Sequence, residues 1–158
     1  MKEHPERGMK LATIAMAAIG LVIAVVLIPA VAQAMLFAYP QYQGWYWPCM
    51  IYAWAVLVPG FCGLWEFWKI CAQIGRDNSF SRENARSLFR ICALALTMAA
   101  LLAAGAIALC ALHAGQPGLL LLLAGAAAAC AIVALLACAL GQLVRRAAVL
   151  QSESDLTI

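Results

Sequence analysis

The chain has 158 residues, 66% of them hydrophobic and 11% charged, with a mean hydropathy of +0.93 and a formal net charge of +3. A soluble domain of this length is about half apolar. The polar residues are too few to enclose a water-soluble globule, which excludes that class and points to one lipid-surrounded domain over 1–158.

The first apolar run covers 11–37, long enough to cross a bilayer, which takes about 20 residues. Pro29 is expected to kink it toward its far end. The start imitates a signal peptide, with Lys2, Arg7 and Lys10 before the run and Ala32-Gln33-Ala34 near its end. A signal core is about 7–15 residues, and this run is about twice that, so a retained span is expected. The connection that follows, 38–48, has no formal charge and holds Tyr39, Tyr42, Trp45, Tyr46 and Trp47. Such rings favour the headgroup layer, so a membrane-interface belt is expected over an aromatic ligand platform.

The second run, 48–74, contains Pro59-Gly60, another expected kink. Near its end lies Glu66, between Trp65 and Trp68 and three residues before Lys69. An ionisable group at membrane depth is a functional candidate by default. The plainer reading is an ion pair with Lys69 across one helical turn in the headgroup layer.

The polar stretch IGRDNSFSRENARSLFR, 74–90, holds four of the ten Lys and Arg residues. Gly75, Asp77, Asn78 and Ser79 read as a turn. Ser81 reads as a helix N-cap, with Glu83 in the first turn where a negative charge suits the helix dipole. Ala85, Leu88, Phe89 and Cys92 then fall at i, i+3, i+4 and i+7, one apolar stripe. Arg82, Arg86 and Arg90 recur every four residues on another face. The loop 75–90 is therefore expected to end in a short amphipathic extension of the third span. Its arginines serve either as an anchor on anionic headgroups or as a docking face for an acidic partner.

The third and fourth runs, 91–113 and 119–143, are joined by GQPG, a turn short enough for an antiparallel hairpin. The fourth is expected to continue as helix through Arg145 and Arg146. Both are rich in small residues. In the fourth, Gly125, Ala129, Ala137 and Gly141 form one four-residue ladder, and Ala126, Cys130, Ala134 and Cys138 its neighbour. Small faces let helices approach closely, either within the chain or in a homo-oligomer.

All ten Lys and Arg fall before the first span, between the second and third or near the end of the second, and after the fourth. With four transmembrane helices the positive-inside rule places both termini and the loop 75–90 in the cytoplasm. The expected architecture is all-α and polytopic, N-in and C-in, with a cytoplasmic tail over 144–158. The seven cysteines include no CxxC pair, lie mostly in apolar runs and read as small packing residues. Neither His4 nor His113 stands at a ligand-like spacing from a cysteine, so no metal or cofactor is expected. No nucleophile-and-base set or carboxylate cluster recurs at catalytic spacing, so an enzyme is not expected.

The segment NSFSRENARSLFRI, 78–91, following two spans, and the terminal ESDLTI, 153–158, resemble a family of small bacterial four-helix membrane proteins catalogued as domain of unknown function 2975. The resemblance covers most of the chain. It implies no assigned activity, and genes of the family often neighbour one for a small helix-turn-helix regulator. By resemblance, the chain is expected to be a non-enzymatic regulatory membrane protein of the bacterial inner membrane. Its docking surface would comprise Arg76, Arg82, Glu83, Arg86 and Arg90 of the loop with Glu153 and Asp155 of the tail. The expected partners are the bilayer, that regulator and a second copy of the chain, without direct nucleic-acid contact. The rival expectation is a small transporter or permeation protein using Glu66.

Overall fold

A computed structural model describes residues 5–38, 40–74, 82–112 and 116–156. All described elements are helical: α1 (Pro5–Val22), a π segment (Ile23–Leu27), α2 (Ile28–Ala38), a 3-10 turn (Pro40–Trp45), α3 (Tyr46–Ile74), α4 (Arg82–Ala111) and α5 (Pro117–Leu156). Four stretches are long and apolar enough to cross a membrane: Gly8–Ala34, Gln43–Ile74, Arg82–Ala111 and Pro117–Leu150. In lipid a backbone must satisfy its own polar groups, and an isolated helix does so.

Three of the six prolines are accommodated in different ways. Pro29 has no N–H to donate, and its ring crowds the carbonyl four residues back. The chain responds with a π turn, in which the Ile28 N–H bonds to the Ile23 carbonyl, five residues back. That shift leaves the Ala24 carbonyl without a donor from its own helix, since the next residue in the wider register is Pro29. The indole N–H of Trp54 on α3 supplies one at 3.1 Å. The kink expected at Pro29 is thus a widened turn with a partner from the neighbouring helix. α3 runs unbroken through Pro59. Pro117 opens α5, where its missing N–H is one of the unsatisfied donors in any case, and the Gln116 carbonyl accepts from Leu120 at 3.0 Å.

The helices pack in chain order. α1 lies on α3, α3 on α4 and α4 on α5, and among the described residues no other pair of these long helices makes more than a marginal contact. Neighbours are antiparallel. Gly20 meets Phe61 while Ala24 meets Trp54; Ser87 meets Glu66 while the Leu101 carbonyl accepts from the Tyr52 hydroxyl. The result is an open row, so most large apolar side chains face outward. Lipid tails solvate such faces as well as another helix would, so no core has to close.

Two seams are tight. A Cβ on Gly105 would sit 2.6 Å from the Tyr52 hydroxyl oxygen, so any larger residue there would push this tyrosine away from α4. On the other side of α4, a Cβ on Gly141 would meet Leu88 and Phe89 at 3.4 Å. Ala134, Ala137, Gly141 and Ala148 are buried along α5, whereas Gly125 and Ala129 are exposed. The ladder 125–129–137–141 therefore does not act as one face. Each four-residue step turns about 40° around a helix, so its ends point in different directions.

α5 has 40 residues, or about 60 Å at 1.5 Å per residue, against an apolar thickness of about 30 Å. It continues as helix past Arg145 and Arg146 to Leu156, well beyond the end of the apolar run at 143.

Candidate functional site

The described charged side chains gather at one end of the row, where α1 begins, α3 ends, α4 begins and α5 leaves the apolar zone. At its centre is Glu66, buried on α3. Glu66, Lys69 and Gln73 fall at i, i+3 and i+7 on one side of α3, and Glu83, Ser87 and Arg90 at i, i+4 and i+7 on α4. The antiparallel register of α3 and α4 sets these two rows against each other.

The contacts are specific. The Lys69 ammonium bonds to Glu66 Oε1 at 2.9 Å, and an Arg90 guanidinium nitrogen donates to the same oxygen at 3.3 Å. The Ser87 hydroxyl donates to Oε2 at 3.0 Å. One turn further toward the end of the row, the Gln73 amide donates to Glu83 Oε2 at 2.8 Å. Both carboxylate oxygens of Glu66 are thus engaged, by two cations and a hydroxyl. Such charge-assisted bonds offset the cost of burying the carboxylate.

The charges are unevenly exposed. The Glu66 side chain is 11% accessible, that of Lys69 42% and that of Arg90 57%. The negative charge is inside and the positive charges face outward.

Arg82, Glu83 and Arg86 are exposed on the first turns of α4, while Asn84, Ala85 and Ser87 are buried. Arg82 and Arg86 form no ion pair with any described residue. Arg90, which sequence spacing aligns with Arg82 and Arg86, instead turns back to Glu66. At about 100° per residue it lies about 60° from Ser87, the residue that faces the carboxylate, close enough for its long side chain to reach across. Arg145 of α5 lies over the Phe89 ring at 5.9 Å, a cation–π contact that joins α5 to the same end. Arg76 and Ser81 lie outside the described residues, as do the side chains of Glu153 and Asp155, although α5 is helical through those two positions.

Sequence spacing brings Glu66 to Lys69 but does not find Ser87 or Asn84. Their signal is angular: both fall between the arginine stripe and the apolar stripe of α4, on a strip where a lipid-facing helix would be expected to carry apolar residues.

Four membrane-length helices with charge gathered at one end define a multi-pass helical membrane protein. The chain belongs to the family described as protein of unknown function (DUF2975), whose model matches residues 30–158, from α2 to the last residue. No curated protein and no solved structure matches it significantly.

Proposed function

We propose that this protein is a non-enzymatic membrane regulator whose basic end docks a small cytoplasmic helix-turn-helix protein. The observation behind this reading is the exposure of Arg82 and Arg86. They stand on the first turns of α4, while the buried Asn84, Ala85 and Ser87 pack that helix from behind. Cations held this way act as a preorganised surface for an acidic partner, favouring both encounter rate and register. Arg76, Glu83, Arg90 and the tail residues Glu153 and Asp155 complete the proposed surface. The proposed setting is the bacterial inner membrane with both termini in the cytoplasm, as the positive-inside rule requires of this charge distribution.

The rival role for Glu66 in permeation draws no support from its contacts. Its carboxylate is already occupied by Lys69, Arg90 and Ser87.

Crosslinked capture from native membranes tests the proposal, with a tagged wild-type chain and an Arg82→Glu/Arg86→Glu control of confirmed insertion. A small DNA-binding protein recovered with the wild type and lost with the control is the expected result. Equal recovery with both chains, or no such protein with either, overturns it.

A further inference from the structure

A crevice of about 580 Å³ opens between α3 and α4 beside the Glu66 cluster. Phe61, Cys62 and Trp65 line it from α3 and Ala93 and Leu94 from α4, with Glu66 and Arg90 at one end. Its volume falls within the range of small-molecule sites. Two features identify what it would accept. The body of the crevice is apolar and lies along a membrane-length segment, with Trp65 and Cys62 exposed at its edge. The mouth lies at the basic end, where Glu66 and Arg90 line it and Lys69, one turn beyond Trp65 on α3, pairs with the same buried carboxylate; both cations face outward. That mouth therefore has an excess of one positive charge, directed outward. A ligand that matches both features has a long hydrocarbon chain joined to a negatively charged head.

We propose that this crevice is a binding site for an anionic glycerophospholipid. One acyl chain lies along Phe61, Ala93 and Leu94, and the headgroup phosphate lies against Arg90 and Lys69. Arg90 is well suited to this double role. Its guanidinium has five N–H donors in a planar fork, so one nitrogen can hold Glu66 while others meet a phosphate oxygen. Trp65 forms the wall at the headgroup level, where an indole is favoured. The inference does not depend on the docking of a regulator and would stand if that reading failed.

The test uses the full-length protein in phosphatidylcholine vesicles, titrated with brominated phosphatidylglycerol or brominated phosphatidylcholine. Bromine on an acyl chain quenches a nearby indole, and the difference between wild type and Trp65→Phe isolates the Trp65 signal. Stronger quenching of Trp65 by the brominated phosphatidylglycerol is expected at equal mole fraction. Arg90→Gln is expected to lower the apparent preference by about fivefold, the equivalent of about 1 kcal/mol for one basic residue at the surface. Arg90→Lys is expected to restore part of it, which separates loss of charge from loss of fold. Ala93→Leu fills the crevice and is expected to weaken Trp65 quenching by both lipids.

Arg146, exposed on α5 and away from the crevice, provides the control. Arg146→Gln is expected to leave the Trp65 preference unchanged. An equal fall with Arg146→Gln would mean a general surface potential and would overturn the site. So would equal quenching by the two lipids in the wild type. Loss of the preference on adding millimolar inorganic phosphate, with Ala93→Leu silent, would mean an anion site without an acyl chain and would also overturn it.

Discussion

At the scale of single residues, the Glu66 carboxylate ties α3 to α4. It is buried, and its two oxygens are divided between Ser87 on one side and Lys69 with Arg90 on the other. Removing the Ser87 hydroxyl deletes one bond to a charged group, so Ser87→Ala is expected to cost about 1–2 kcal/mol. Glu66→Gln should cost roughly 2 kcal/mol. That is less than breaking a fully buried pair, because Lys69 and Arg90 are half exposed and can turn to water or headgroups. The two changes share one bond, so together they should cost less than their sum. Thermal unfolding of the detergent-solubilised single and double variants measures the coupling, and strict additivity would show that the bond contributes nothing. The Glu66–Lys69 half of this cluster is legible in the sequence, since a spacing of three places them on one helical face. The Ser87 and Arg90 half is not, because it depends on how α3 and α4 slide past each other. That register is set by contacts such as Tyr52 against Gly105, which no local pattern reveals.

At the scale of elements, the four spans are legible as apolar length alone, and their described ends differ mainly by being longer. The broken helix at the start of the chain shows why proline patterns say less. Pro29 announces a disturbance, but not that it takes the form of a π turn or that Trp54 answers it. The indole is a specific remedy for one orphaned carbonyl, which gives a sharp expectation. Trp54→Phe keeps most of the ring packing and removes the donor, and should cost about 1–3 kcal/mol in a site that water does not reach. In a Pro29→Ala background the helix can return to its ordinary register, Ile28 can donate to Ala24 again, and Trp54→Phe should then be nearly silent. A thermal-melt cycle over the four chains reads this directly. An equal cost in both backgrounds would mean that the indole contributes packing and no backbone satisfaction.

At the scale of the whole molecule, the gathering of charge at one end is legible, because it follows from counting Lys and Arg between spans. The open row is not, because it is a statement about helices that do not touch. The small-residue ladders make the difference concrete. Gly125 and Gly141 share a four-residue ladder in the sequence, yet a Cβ at Gly125 would meet nothing within 4 Å, whereas one at Gly141 would already touch Leu88 and Phe89 at 3.4 Å and leave no room for a longer side chain. Gly141→Leu should therefore overpack the α4–α5 seam and cost about 1–3 kcal/mol. Gly125→Leu should leave stability unchanged or raise it by up to about 1 kcal/mol, since glycine is a poor helix former. The two variants are compared by thermal unfolding and by size in a mild detergent. If the row is complete in one chain, only Gly141→Leu loses stability and neither changes size. If instead Gly125→Leu is the one that destabilises, or shifts the particle to a smaller size, then the outer face of α5 is occupied by a second copy. The open edge of the row would then be an interface between chains.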